Sequence, residues 1–210
     1  MTDTTPHPTS ERRTRTRMKL LDAGFDVFAE NGFNAASLEL ICERAGLTRG
    51  AFYYNFSTKE ELFLAVMERE FERSMSSLLS FSAGQLDDTE PSELPQLVLA
   101  LNSGLLRDQV AWATLTEEFR LHAMRDPSAA AAFTEQFTSI HERLGREFQK
   151  AADVRGLSLL APPETIAAIV TGIFLQAVSE GVLAKQSTEH IQQIAADRML
   201  VTLQGLMPPA

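Results

Sequence analysis

Apolar residues recur along this chain at steps of three and four, the period of a helix, and no sustained alternation of period two competes. Met18, Leu21, Phe25 and Phe28 form the first stripe. Asn31-Gly32 is expected to end it, because glycine takes a left-handed conformation without steric penalty. Two short segments follow, Leu38 to Arg44 and about Arg49 to Asn55, with Ser37 and Thr48 as candidate N-caps and Gly46 between them. Ser57-Thr58-Lys59-Glu60-Glu61 holds two overlapping capping boxes, Ser57 with Glu60 and Thr58 with Glu61, so a long helix is expected to start there. Leu62, Val66, Phe71, Met75 and Leu78 give that helix an apolar face.

Polar and turn-forming residues crowd between Gly84 and Pro95 and mark a linker. Helical periodicity resumes over Leu97–Arg107 and Val110–Met124. Asp126-Pro127 reads as a cap followed by proline in the first turn. Phe133, Phe137, Ile140, Leu144 and Phe148 mark the next helix, and two last helices are expected over 164–184 and 188–206. The pattern predicts an all-α fold of about nine helices. The organisation expected is a tail over 1–10, a helix-turn-helix domain over 11–57, a connecting helix over 58–83 and a helical domain over 84–210, to which the family resemblance described below assigns effector binding and dimerisation.

Composition narrows the class. A chain of 210 residues with 44% hydrophobic residues can bury a core without staples. The single cysteine, Cys42, excludes an intramolecular disulfide framework and a Cys-cluster zinc site, and it suits a reducing cytoplasm. The first ten residues carry no apolar run of the kind a secretory leader needs. The richest apolar stretch, Ile166 to Val178, is shorter than the ~20 residues of a membrane span, so a cytoplasmic protein without a membrane partner is expected.

The net charge of −9 argues against general coating of nucleic acid, since phosphates repel an acidic surface. Its distribution changes that picture. Arg12, Arg13, Arg15, Arg17 and Lys19 face a single acidic residue, Glu11, within nine positions, while most of the acidic excess lies beyond residue 59. A basic arm ahead of an acidic body fits a tail that follows phosphates or enters a minor groove.

Residues 25–67 carry the function. A long helix, two short ones and the Ala45-Gly46-Leu47 turn have the layout of a helix-turn-helix, whose second helix enters a major groove. Ile41, Ala45, Leu47, Phe52 and Phe56 have the spacing of a small core, which leaves Arg49, Tyr53, Tyr54 and Asn55 to face outward. Arginine bonds guanine, asparagine bonds adenine, and tyrosine hydroxyls hold phosphates.

The same stretch resembles the DNA-binding domain of the TetR (tetracycline-repressor) family. It carries Asn31-Gly32-Phe33, Ser37, Ala45-Gly46, Thr48-Arg49-Gly50-Ala51-Phe52-Tyr53-Tyr54-Asn55-Phe56 and Ser57-Thr58-Lys59-Glu60-Glu61-Leu62. Asn55 stands where the family usually has histidine. The resemblance implies that Ser37, Thr48, Tyr53 and Lys59 hold the DNA backbone, and that Arg49, Gly50 and Tyr54 lie nearest the base edges. It implies a homodimer through the last two helices, a palindromic operator in double-stranded DNA, and repression relieved by a small-molecule effector.

For that effector, Trp112, Phe119, Met124, Phe133 and Phe137 offer an apolar lining, with Phe174 from the penultimate helix, and His122, His141 and Gln136 offer polar anchors. No cofactor and no metal are expected: His141-Glu142 lacks the second histidine of a zinc-protease helix. The alternative is a helical small-molecule-binding protein or enzyme with an incidental helix-turn-helix. No nucleophile with its base, phosphate loop or carboxylate pair favours an enzyme.

Overall fold

A computed structural model describes residues 8–85 and 109–209. Eight helices occur among the described residues: α1 (Pro8–Ala35), α2 (Leu38–Ala45), α3 (Arg49–Asn55), α4 (Lys59–Gln85), α5 (Gln109–Ala123), α6 (Pro127–Arg155), α7 (Pro163–Leu183) and α8 (Thr188–Leu206). The helix expected over Leu97–Arg107, most of the Gly84–Pro95 linker and residues 1–7 lie outside the described residues. The helix α1 starts at Pro8, so the basic stretch from Arg12 to Lys19 is not a free tail but the opening turns of that helix.

Local chemistry accounts for the boundaries. Ser37 Oγ accepts from the Leu40 N–H at 3.1 Å and Thr48 Oγ1 from the Ala51 N–H at 3.2 Å, capping α2 and α3. Of the two capping boxes, Thr58 with Glu61 forms: Thr58 Oγ1 accepts from the Glu61 N–H at 3.0 Å, and the Glu61 carboxylate reaches back to the Ser57 N–H at 2.6 Å. Asp126 caps α6 through the Ser128 and Ala129 amides. The end of α1 is bent at Gly32, whose φ of 79° and ψ of 163° are not the left-handed helical geometry expected of a helix stop.

Two cores result. The head core, from α1 to α4, gathers Leu20, Val27, Phe28, Phe33, Ile41, Phe52, Phe56, Leu62 and Phe63. Leu115, Phe119 and Ala123 of α5 belong to it as well. The body core joins Phe71 and Met75 of α4 and Ala113 of α5 to α6, α7 and α8. Gly145 lets α6 approach α7 closely, since a Cβ there would meet the Pro163 carbonyl carbon and the Glu164 nitrogen at 2.7 Å.

The apolar run expected to stop short of a membrane span lies in a helix of 21 residues that holds an 18-residue stretch with a mean hydropathy of 1.8, long and apolar enough to cross a membrane by composition. Its buried side, Ile166, Val170, Phe174 and Val178, packs into the body core, as in the core helix of a helical bundle.

Candidate nucleic-acid interface and effector cavity

The turn between α2 and α3 is built by Gly46, whose φ of 64° and ψ of 38° are left-handed, with the Leu47 N–H bonded to the Cys42 carbonyl at 2.9 Å. Phe52 and Phe56, each 1% exposed, fix the inner side of α3. Its outer side is then set by the helical period: Arg49, Gly50, Tyr53 and Tyr54 are exposed, with Ser37 and Thr48 at the helix starts beside them. The two tyrosines are 51% and 70% exposed, a large uncovered aromatic surface for so small a domain.

Arg49 pairs with Glu39 at 2.7 Å, both side chains largely exposed. A hydrogen bond with Tyr53, then the Glu39 carboxylate, raises its pKa above the ordinary arginine value. Solvent screens an exposed pair of this kind, so exchanging the carboxylate for a DNA phosphate or base costs little.

The opening turns of α1 flank this face. Arg13 stacks 5.5 Å from the centre of the Tyr54 ring, and Arg17 stacks 4.3 Å from that of Phe56. Arg12, Arg15 and Lys19 line a shallow groove that Leu47 closes. The five basic residues thus lie on the opening turns of a helix next to α3, where the sequence suggested a tail.

Two residues expected at the DNA face sit elsewhere. Asn55 is 8% exposed. As the last residue of α3 its amide turns back to the Ala51 carbonyl at 2.8 Å, and its own carbonyl accepts from Arg17 at 3.4 Å. Burial against α1 removes it from the outward face. Lys59 directs its ammonium at three carbonyls at the end of α1, Phe33 at 2.8 Å, Ala36 at 3.0 Å and Asn34 at 3.4 Å, and lies 4.5 Å from the Phe33 ring centre. Burial lowers its pKa. Lys59 holds the α1–α2 corner and has no ammonium donor left over for a phosphate.

The head meets the body at the same corner. Glu118 of α5 accepts from the Phe33 N–H at 2.6 Å, and a Cβ on Gly32 would fall 2.8 Å from the same carboxylate. Positive φ is what favours glycine there, since the Glu118 carboxylate ends a flexible side chain that can move aside. Phe33, Phe63 and Phe119 pack with centroids 4.5–5.2 Å apart, Phe63 and Phe119 face to face. Phe119 is fully buried in this cluster, so it does not line an effector cavity. His122 also belongs to the joint, its ring 5.1 Å from that of Phe33 and its Nε2 3.6 Å from the Glu60 carboxylate. Met124 is 77% exposed.

The cavity lies one helical face away. About 750 Å³ of atom-free space, including its open mouth, is enclosed by α4, α5, α6, α7 and α8. Of the residues expected there, Trp112, Phe137 and Phe174 line it, and His141 stands behind Phe137 with ring centroids 5.8 Å apart. Burial, then the nearby Arg120 charge, lowers the His141 pKa, so the imidazole is neutral. Gln136 turns to Glu68 instead, beside Arg143, which ties α6 to both Glu68 and Glu72 of α4. Ser74, Thr116 and Thr171, the hydroxyls on the cavity wall, carried no signal in the pattern, because hydroxyl residues recur throughout the chain. Among the described residues no group of three or more His, Cys, Asp and Glu could hold a metal ion.

Residues 20–66 match the family described as bacterial regulatory proteins, tetR family. The regulator UidR of Escherichia coli K12 is 26% identical over 185 residues, 86% of each chain. The repressor AcnR of Corynebacterium efficiens is 23% identical over the same coverage. The solved structure of Salmonella enterica GusR superposes with a TM-score of 0.63 at 26% identity, covering 91% of this chain and 95% of that one. The match falls on the capped helices and the Tyr53–Tyr54 face, so residues 20–66 are similar to the DNA-binding domain of the TetR family, and the helical body extends the likeness to transcriptional regulators over most of the chain.

Proposed function

We propose that this regulator is a homodimeric repressor that binds a palindromic operator and leaves it when a small molecule fills the body cavity. The observation that carries the reading is the outer side of α3, where Arg49, Gly50, Tyr53 and Tyr54 lie exposed between the basic turns of α1 and the cap residues Ser37 and Thr48. Tyr53, Ser37 and Thr48 would hold phosphates, and Arg49, Gly50 and Tyr54 would approach base edges. Arg12, Arg13 and Arg15 join them as phosphate contacts from the flank. Asn55 and Lys59 act instead by fixing how α3 and α4 leave α1.

Dimerisation is supported by the outward face of α7 and α8. Ile169, Gly172 and Val201 are exposed there, and a Cβ at Gly172 or Gly205 would meet nothing within 4 Å. Such a face, apolar and low in relief, suits close approach of the same helices from a second copy. Two heads about one helical turn of DNA apart, roughly 34 Å, would then read two half-sites. A protein of this kind works in the cytoplasm, with no catalytic step of its own.

The test is fluorescence anisotropy with duplex DNA from upstream of the gene. Arg49→Ala and Tyr53→Ala are each expected to weaken binding by at least about tenfold, one good base contact or one hydrogen bond to a charged phosphate being worth ~1–3 kcal/mol, with unchanged thermal unfolding. Binding should also fall steeply with salt. Wild-type affinity in both variants would remove α3 from the interface.

A further inference from the structure

The walls of the body cavity specify the chemistry of what enters it. Phe71, Trp112, Phe137 and Phe174 face it with rings, aliphatic side chains fill the gaps, and no charged side chain lines it among the described residues. The nearest buried carboxylate, Glu70, is held by Arg69 at 3.0 Å and Arg73 at 2.8 Å and is not part of the wall. A ligand carboxylate or ammonium would lose its hydration here and find no counter-charge, a penalty of several kcal/mol.

Three hydroxyls interrupt the apolar wall, and they are not equivalent. Ser74 Oγ donates to the Glu70 carbonyl at 2.9 Å and Thr171 Oγ1 to the Ala167 carbonyl at 2.8 Å, so each hydroxyl proton is already committed. Thr116 Oγ1 has no hydrogen-bond partner among the described residues, although the residue is only 1% exposed. A buried hydroxyl left unpaired is destabilising, and a ligand that bonds to it recovers that loss.

We propose that the cavity takes an uncharged, compact hydrocarbon molecule bearing one hydroxyl or carbonyl, which is held by Thr116 Oγ1. The inference rests on the effector reading above, but it concerns the class of ligand rather than the consequence of binding. Size points the same way: the centre of a water-sized sphere has only about 70 Å³ to move in, which confines the occupant to a small, compact molecule.

Trp112 is the single tryptophan of the chain and lies on the cavity wall, so its emission reports occupancy without a label. Menthol, menthane, menthane carboxylate and menthylammonium share one skeleton and differ in the polar group. Titrated into the full chain, menthol is expected to shift Trp112 emission, with the carboxylate and the ammonium weaker by at least about thirtyfold, the discrimination expected of a desolvated charge. Thr116→Val is expected to weaken menthol about fivefold to tenfold, one hydrogen bond, while menthane is unaffected. This variant replaces an unpaired hydroxyl by a methyl group and should unfold no earlier than the wild type.

Equal or tighter binding of either ion, an unchanged menthol-to-menthane ratio in Thr116→Val, or no response to menthol would each overturn the proposal. Anisotropy of bound operator in the same titrations separates the two readings. Menthol bound without release of DNA would defeat the effector reading and leave the ligand class standing. Release by the carboxylate would do the reverse.

Discussion

In the head, the Phe33 ring centre lies 5.2 Å from that of Phe63 and 4.8 Å from that of Phe119, and no space remains between them. In the body, Phe71, Trp112, Phe137 and Phe174 are spread around a void of about 750 Å³ that includes its mouth. The same residue type closes one core and props open the other. The difference follows from spacing. Phe33 follows the bend at Gly32 and meets Phe63 in the first turns of α4 and Phe119 on α5, whereas the body rings come one each from α4, α5, α6 and α7 and stand apart on the cavity wall. A head that must present α3 in one geometry gains from a closed core. A body that admits a ligand needs an unfilled one.

Truncations should expose this contrast most strongly. Phe119→Ala is expected to cost about 3–5 kcal/mol, the full effect of a ring removed from a tight core. Phe174→Ala, which enlarges an existing void, should cost roughly half as much. Urea unfolding of both variants measures the gap, and equal losses would erase the distinction.

A smaller effect is expected at the link between the regions. Glu118→Ala removes the acceptor of the Phe33 N–H and should destabilise by about 1–2 kcal/mol, as for a hydrogen bond to a charged group near the surface. Hydrogen exchange gives a local readout. The Phe33 amide should lose protection while the α7 and α8 amides keep theirs, and uniform loss would show one undivided core.

The smallest effect is the pH response of His141. Burial, then Arg120, holds its folded pKa below the ordinary 6.5. As pH falls through that window the unfolded chain takes up the proton first, so the stability present above 6.5 declines toward the folded value. His141→Gln should flatten this decline by under about 1 kcal/mol, since the ring is only half-buried. Chemical unfolding at neutral and mildly acidic pH checks it, and an identical slope in the variant would place the sensitivity elsewhere.

What the sequence revealed depended on the range of the interaction. Caps, the Gly46 turn and the buried side of α3 arise within a few residues, and Ser37, Thr48, Phe52 and Phe56 occupy the places their spacing predicts. Asn55 and Lys59 were misplaced because their partners lie outside their own turns: Arg17 on α1 for one, the carbonyls closing α1 for the other. The cavity was half legible. Trp112, Phe137 and Phe174 line it, but an apolar stripe does not reveal which of two cores it faces. Phe119 and Trp112 are seven residues apart on α5, yet Phe119 packs wholly into the head while Trp112 touches both cores.

That divided allegiance of α5 bears on modularity. A chimera joined in the stretch between α4 and α5 would separate Leu115, Phe119 and Ala123 from the rings they were selected against. Glu118 would leave with them, and the foreign head would lose the acceptor for its α1 corner. The transferable unit is therefore not a contiguous segment of chain. It is the head together with one side of a distant helix, and a functional graft would have to carry those positions across with it.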